Sequence, residues 1–241
     1  MLPYLPALLD GGVEPGWRTV EGSFVSADVI GFTSLSERLA EAGRLGAEVL
    51  STSMDRFFTG LIDALTPFGG DVLFFGGDAL FVAFLDENHA RRAVDGAVAM
   101  LRALRELVPL ETPLGPVRVA MKVGVATGPA DVIIGDGPQS PLFLAGPTVS
   151  RTVRLESHAG PGEIRVDALT ADSLDEAGRR TLGDGEWLVT TRRRRPPPAP
   201  PVPAHVLTPA APHAADRHLP AALRTRLLAG DAPKALSLIH I

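Results

Sequence analysis

The most informative stretch of the sequence is Gly69-Gly-Asp-Val-Leu-Phe-Phe-Gly-Gly-Asp-Ala-Leu-Phe-Val-Ala-Phe84. It holds two short apolar runs, residues 72–75 and 79–84, which are separated only by Gly76-Gly77-Asp78. Short apolar runs on either side of a glycine-rich turn are typical of a β-hairpin. The sequence therefore predicts a hairpin that carries the carboxylate of Asp78 at its tip.

An apolar run and a helical pattern precede this hairpin. Ser23-Phe-Val-Ser-Ala-Asp28-Val-Ile is short, apolar and ended by Gly31, which predicts a buried strand. Ser34-Leu-Ser-Glu37 has the form of a capping box, so we expect a helix to follow. Apolar residues then recur at helical spacing: Leu50, Met54, Phe57, Phe58, Leu61, Ile62 and Leu65.

The region after the hairpin predicts a second helix and several more strands. Residues 117–126 alternate well enough for a central strand, and 131–134 and 142–144 make two short ones. Residues 147–158 predict a helix, and 162–166 a further strand. The second helix follows from Ala90, Ala93, Val94, Ala97, Val98, Leu101, Leu104 and Val108. This element order predicts an α+β fold, a ferredoxin-like sandwich with a βαββαβ core and additional C-terminal strands and helices.

We expect four segments along the chain. Residues 1–21 are predicted to be an N-terminal lead-in, and 22–191 a single folded domain. Residues 192–235 begin with four arginines and a proline-rich run, which predicts an extended linker and the start of a missing downstream region. Residues 236–241 match an in-frame translation of a transposon-end sequencing adapter. We interpret the chain as a fragment of a longer gene product.

Composition excludes several classes of protein. The formal net charge of −5 argues against a nucleic-acid binder, which normally has a basic stripe. The chain has no cysteine, so disulfides, thiolate metal sites and a cysteine nucleophile are excluded. No apolar run approaches the roughly 20 residues that span a bilayer, so we expect no membrane association and a cytoplasmic location.

Two carboxylates make a candidate metal site. Asp28 lies at the end of a predicted buried strand, and the backbone N–H groups of Gly31, Phe32 and Thr33 are placed to receive a phosphate. In a ferredoxin-like sheet the strand of Asp28 lies beside the hairpin, so the two side chains can converge. Oxygen ligands near a phosphate site suit Mg²⁺ or Mn²⁺. The alternative is that Asp28 caps a helix and Asp78 stabilises a turn.

Four ordered motifs resemble the class III adenylyl and guanylyl cyclases. Residues 24–37 resemble the first metal motif of that family, and 69–84 resemble the second. Val123-Gly-Val-Ala-Thr-Gly-Pro129 is similar to the central strand and its turn, and residues 146–166 are similar to the closing block. The nearest likeness is to the first domain of the soluble, bicarbonate-responsive adenylyl cyclases and their bacterial relatives.

The resemblance implies a two-metal mechanism. Asp28, Asp78 and the carbonyl of Val29 would hold two Mg²⁺ or Mn²⁺ ions, and the substrate would be ATP or GTP. An asparagine and an arginine from a partner domain normally stabilise the transition state. Their positions here are Ser150 and Arg154, so only the arginine is kept.

The positions that recognise the base differ from the family pattern. A lysine is expected at Phe74, and an aspartate or threonine at Phe143. The chain therefore keeps the metal half of a site and has lost most of the base-reading half. We expect it to convert ATP to cyclic AMP and pyrophosphate only when a second cyclase domain, in the same or another chain, completes the site.

Two other functions remain open at this point. The losses at Phe74, Phe143 and Ser150 are also consistent with a catalytically inactive pseudocyclase that modulates a partner. A diguanylate cyclase is suggested by Gly76-Gly-Asp-Ala, but that family has an acidic residue at the fourth position of this turn. The degenerate second pocket of bicarbonate-responsive cyclases is regulatory, so the resemblance also offers Arg154 as a site for an anion such as bicarbonate.

Overall fold

The structure of the chain is a computed structural model. It describes residues 16–31, 35–37, 39, 43–85, 87–109, 112, 115–134 and 142–190. The predicted linker at 192–235 and the terminal segment 236–241 lie outside the described residues, as do Ser34 of the capping box and residues 1–15. The boundaries proposed for the segments therefore stay predictions.

Eight strands and four α-helices have their bounds within these residues, and residues 35–37 and 39 are helical as well. The strands are β1 Gly16–Ile30, β2 Asp71–Gly76, β3 Ala79–Phe84, β4 Ala120–Ile134, β5 Leu142–Ala145, β6 Ile164–Asp167, β7 Arg179–Gly183 and β8 Glu186–Val189. The helices are α1 Gly43–Leu65, α2 His89–Leu107, α3 Pro147–His158 and α4 Ala168–Asp172. None of the helices in the described ranges is long and apolar enough to cross a membrane.

The strands form one sheet in the order β2-β3-β1-β4-β6-β8-β7, and β5 pairs with β4. Its first four members follow the strand order of a ferredoxin-like βαββαβ unit, since α1 joins β1 to β2 and α2 joins β3 to β4. The predicted α+β class is therefore confirmed. The predicted hairpin is confirmed as well, with Gly77 and Asp78 forming the turn between β2 and β3.

Two strands are longer than the sequence predicts. β1 pairs antiparallel with β4 along its whole length, from Gly16 opposite Ile134 to Ile30 opposite Ala120. β1 therefore begins inside the segment that was predicted to be a loose lead-in. β4 combines the predicted strands at 117–126 and 131–134. Each strand satisfies the backbone hydrogen bonds of the other, which is why Gly128 and Pro129 do not end β4.

Helices cover both faces of the sheet. Ser23 contacts His89 of α2, whereas Ser26 contacts Glu156 of α3. Residues of odd and even number point to opposite faces of a strand, so α2 and α3 lie on opposite sides of β1. The larger apolar core lies on the α1–α2 side and includes Val25, Phe57 and Val98, all of which are buried.

α3 packs directly on the backbone of β4 at Gly124. A Cβ atom at this position would lie 2.3 Å from the backbone nitrogen of Glu156 and 2.3 Å from the carbonyl oxygen of Thr152. Both neighbours are main-chain atoms of a helix, so neither can move aside as a flexible side chain would. Only glycine allows the helix and the strand to approach this closely.

We expect Gly124→Ala to lower the free energy of unfolding by about 1–3 kcal/mol, because the added methyl group forces α3 away from the sheet. Urea denaturation followed by circular dichroism measures the loss. Gly76→Ala is the matched control, since a Cβ there would meet nothing within 4 Å. Equal stability of the two variants would contradict the close approach.

A hydrogen-bonded row of polar groups lies beside α2. The Ser23 hydroxyl is 2.9 Å from Nδ1 of His89 and 2.6 Å from Oγ1 of Thr127. Burial lowers the pKa of His89, and the nearby Arg92 lowers it further, whereas Glu21 opposes both. His89 is therefore easier to protonate in the unfolded chain than in the folded domain.

This difference predicts a loss of stability in mild acid. Between the lowered pKa of the folded state and about 6.5, the unfolded chain binds the extra proton. The free energy of unfolding should therefore fall as the pH drops below about 6.5, by at most about 1.4 kcal/mol per pH unit for this one proton. Denaturation at several pH values, comparing the wild type with His89→Asn, isolates the effect. A wild-type-minus-variant difference that stays flat between pH 7.5 and 5 would be the contrary result.

Candidate functional site

The two candidate metal ligands lie at the same end of neighbouring strands. Asp28 is near the end of β1, and it pairs with Ala79 of β3. Asp78 is the residue directly before Ala79, in the turn of the β2–β3 hairpin. Paired Cα atoms in an antiparallel ladder are about 4.5–5.5 Å apart, and consecutive ones about 3.8 Å. The backbones that carry the two carboxylates are therefore close together.

Lys122 binds the carboxylate of Asp28. These residues are cross-strand partners in the β1–β4 ladder, and Nζ of Lys122 lies 3.2 Å from Oδ2 of Asp28. The same ammonium lies 2.8 Å from Oε1 of Glu156 on α3. One cationic group thus joins the candidate metal ligand to the helix that covers this face of the sheet.

The surroundings of Lys122 favour its charged form. The pKa of Lys122 is raised, first by its hydrogen bond to Glu156 and then by Asp28, although partial burial opposes the shift. Ser26 contributes from β1, because its hydroxyl donates to Oε2 of Glu156 at 3.5 Å. Lys122 is therefore a full ammonium at neutral pH, held between two carboxylates.

Polar side-chain contacts attach α3 to the sheet from Arg151 to His158. Besides the Glu156 contact, Arg151 lies 2.8 Å from Asp167 at the end of β6, and His158 lies 2.8 Å from Glu186 of β8. Burial tends to raise the pKa of Glu186, but hydrogen bonds from His158 and Arg165 outweigh it, and the net shift is downward. These contacts fix the orientation of the helix.

The opposite face of α3 presents Ser150 and Arg154 to solvent. They are four residues apart and therefore neighbours on one helix face. Val153 lies beside them and is 46% exposed. The residues that the sequence assigned to transition-state stabilisation thus face outwards, away from Lys122 and Asp28, and are accessible to another domain.

The first base-recognition position belongs to an aromatic stack. Phe74 pairs with Phe81 across the hairpin, and their rings are parallel with centroids 4.9 Å apart. Phe81 in turn stacks on Phe24 at 6.3 Å. Phe81 is also paired with Ser26, so the stack lies on the same face of the sheet as Asp28. Phe74 remains 38% exposed at the surface.

The second base-recognition position lies elsewhere in the sheet. Phe143 is on β5 opposite Ile133, which pairs with Trp17 at the start of β1. These three side chains form an exposed apolar row in which Trp17 is 72% and Phe143 57% exposed. Three strands separate β2 from β5 in the sheet order, so Phe74 and Phe143 lie well apart in the sheet.

The remaining predicted site residues adjoin Asp28. Val29 is buried in β1 just beyond the last pair with β3, and Gly31 forms the turn that follows. The carbonyl oxygen of Gly31 accepts a hydrogen bond from the backbone N–H of Leu35 at 3.3 Å. Phe32 and Thr33 lie outside the described residues, so the phosphate-binding role predicted for this turn stays a prediction.

Lys122 and Glu156 are the residues that sequence reasoning missed. A signal for Lys122 was present, since it is the one charged residue in the apolar run of residues 119–126. The sequence contains no comparable signal for Glu156, because acidic residues are common on helices. Its role depends on the packing of α3 against Gly124.

The donor set fits a divalent cation that the substrate helps to bind. In the described part of the chain, no group of three or more His, Asp or Glu side chains is arranged to hold a metal ion. Mg²⁺ is commonly bound by one or two carboxylates together with substrate phosphates, so two aspartates suffice for such a site. The ammonium beside Asp28 indicates that this position attracts positive charge.

Comparisons with known proteins identify the family to which the domain belongs. Residues 21–195 match the family model described as the adenylate and guanylate cyclase catalytic domain. Adenylate cyclase type 10 of Rattus norvegicus is 26% identical over 148 residues, which is 58% of this chain and 9% of that protein. Guanylate cyclase soluble subunit beta-2 of Homo sapiens is 31% identical over 101 residues, which is 41% of this chain and 16% of that protein. The chain therefore spans only a small part of these relatives.

Solved structures show the same fold. The guanylyl cyclase Cya2 superimposes with a TM-score of 0.60 at 29% identity, over 73% of this chain and 94% of that one. The adenylyl cyclase CyaB from P. aeruginosa gives a TM-score of 0.62 at 22% identity, over 77% and 100% of the two chains. With the match over residues 21–195, these similarities establish that the chain belongs to the adenylate and guanylate cyclase catalytic domain family.

Proposed function

We propose that this domain is the metal-contributing half of a nucleotidyl cyclase site that converts ATP to cyclic AMP and pyrophosphate in intracellular signalling. The observation that carries the proposal is the register of β1 and β3, which puts Asp78 next to the residue paired with Asp28. In the reaction the ribose 3′-hydroxyl attacks the α-phosphorus, loses its proton, and displaces pyrophosphate. A second cyclase domain completes the site.

Asp28 and Asp78, with the carbonyl of Val29, would hold two Mg²⁺ or Mn²⁺ ions. When bound, the cations lower the pKa of the 3′-hydroxyl and neutralise charge on the phosphates. The protein groups around Asp28 and Asp78 hold these two carboxylates in position. Asp28 is held by Lys122, and Asp78 by a tight hairpin turn at Gly77, whose φ of +67° favours glycine. Backbone N–H groups after Gly31 are proposed to receive a phosphate.

The partner domain would supply the groups that this chain lacks. Ser150 and Phe74 have neither the amide nor the amine expected at these positions. Arg154 is exposed on α3 and available to the second site of a two-domain assembly. The exposed row of Trp17, Ile133 and Phe143 supports an interface with another domain, because a row of large apolar side chains in water is unfavourable.

The choice of ATP rests on the similarity to adenylate cyclase type 10. GTP is the other substrate to be assayed, since the base-reading positions are replaced in this chain. Bicarbonate remains a proposed regulator that would bind at Arg154, although the phenylalanine at position 74 removes a second cationic group from that pocket. A cytoplasmic location stays a prediction.

One observation favours the pseudocyclase alternative. Phe74 is built into the stack with Phe81 and Phe24, so a stabilising apolar contact has replaced a nucleotide contact. In this alternative the domain dimerises with a partner cyclase and modulates it without binding metal or nucleotide productively. The following experiment separates the two functions.

The wild-type domain is mixed with a variant of itself that carries Phe74→Lys, Phe143→Asp, Ser150→Asn and Asp28→Asn. The variant supplies a base-reading half and cannot bind metal, so only the mixed dimer has one complete site. We expect cyclic nucleotide from the mixture with Mn²⁺ and ATP or GTP, and little from either protein alone. Chromatographic detection of the product measures it. Dimerisation without product would support the pseudocyclase.

Asp28→Asn or Asp78→Asn in the otherwise wild-type member of this mixture should reduce turnover to about a hundredth or less, because each change removes an anionic ligand of the proposed metal ions. Asp184→Asn is the matched control, since Asp184 lies in the β7–β8 turn at the far edge of the sheet. Initial rates at saturating Mn²⁺ give the comparison. If the control lost as much activity as Asp28→Asn, the assigned roles would be wrong.

A further inference from the structure

Lys122 forms a row with Asp28 and Glu156, and the proposed function assigns no role to its contact with Glu156. A single ammonium lies between a candidate metal ligand and a second carboxylate on another element. We propose that Lys122 is a positioning residue that holds Asp28 through Oδ2 and, when a divalent cation arrives, withdraws onto Glu156. This inference rests on the proposed role of Asp28 as a metal ligand.

The distances favour withdrawal towards Glu156. Nζ of Lys122 is already nearer to Oε1 of Glu156, at 2.8 Å, than to Oδ2 of Asp28, at 3.2 Å. A small rotation of the lysine side chain therefore breaks one contact and keeps the other. Lysine suits this role because its ammonium is a compact charge on a flexible four-carbon stem.

Glu156 is held in place by its neighbours and cannot move with Lys122 towards Asp28. Its backbone nitrogen lies against Gly124, and a Cβ there would be 2.3 Å away. Ser26 donates a hydrogen bond to its other carboxylate oxygen. Only 10% of the side chain of Glu156 is exposed, so an unpaired charge there would be costly. Lys122 is thus the mobile member, and Glu156 is its permanent partner.

The contact with Lys122 opposes the binding of a divalent cation to Asp28. While Oδ2 is bound to Lys122, the carboxylate of Asp28 has fewer lone pairs available to a cation. An ammonium in contact with the same carboxylate also repels a divalent ion, and the repulsion is strong in a partly buried site. The Asp28–Lys122 contact therefore competes with metal binding, and Glu156 weakens that competition.

Because Lys122 competes with the cation for Asp28, two sets of substitutions should change the affinity for Mn²⁺ in opposite directions. Glu156→Gln should weaken Mn²⁺ binding by about tenfold, because Lys122 then has Asp28 as its sole anionic partner. Lys122→Met combined with Glu156→Gln should strengthen Mn²⁺ binding by about tenfold over the wild type, because no ammonium competes. The double change removes one positive and one negative charge, so an altered net charge cannot account for tighter binding. It also avoids leaving Glu156 as a buried unpaired carboxylate.

The experiment titrates the purified protein with Mn²⁺ alone at one pH and measures free Mn²⁺ by electron paramagnetic resonance. Glu186→Gln is the matched control, since Glu186 is another mostly buried carboxylate that pairs with α3. It should leave the affinity unchanged. Asp28→Asn in each background should abolish binding and so identifies the site.

The outcomes separate the inference from the proposed function. If the double variant binds Mn²⁺ no more tightly than the wild type while Asp28→Asn still abolishes binding, the role of Lys122 is refuted and the metal site stands. If the double variant binds more tightly but the mixed dimer makes no cyclic nucleotide, the inference stands and the cyclase activity does not. If neither the wild type nor the double variant binds Mn²⁺ without nucleotide, the role of Lys122 is refuted, and the mixed-dimer assay alone decides the cyclase activity.

Discussion

The contact between the backbones of α3 and β4 at Gly124 is the constraint on which the candidate site depends. It brings the helix close enough for Glu156 to reach Lys122, which in turn holds Asp28 on the neighbouring strand. It also determines which face of α3 is buried, and hence that Ser150 and Arg154 point outwards. A single residue without a side chain thus organises both the inner and the outer surface of the helix.

Much of the fold follows from local signals. Hydrophobic periodicity predicted both long helices, and the glycine-rich turn predicted the β2–β3 hairpin with its aspartate. The extent of β1 and β4 was less visible, because pairing with each other keeps them extended through residues that usually mark turns. Asp28 and Asp78 were found by resemblance and spacing. Lys122 and Glu156 were not, since their contact depends on how a helix packs on a sheet.

The two proposed half-sites of the domain have different kinds of side chain. On the metal side, charged groups are retained and neutralise one another, which keeps the carboxylate of Asp28 ordered before any cation arrives. At Phe74, one of the two positions proposed for base recognition, the side chain is aromatic and stacks on Phe81, which extends the core towards the surface. A lysine at position 74 would lose the parallel stack with Phe81. Phe74 therefore stabilises the fold at a position proposed for base recognition.

The unbroken antiparallel pairing of β1 with β4 has a consequence for variation in chain length. Because neighbouring residues point to opposite faces, deleting one residue within β1 would turn every later side chain to the other face. Asp28 would then face α1 and α2, and Lys122 would keep Glu156 as its anionic neighbour but lose Asp28. We therefore expect insertions and deletions among natural variants to occur in the loops. They should be absent from the β1–β4 ladder, because its register determines the face of the sheet on which Asp28 lies.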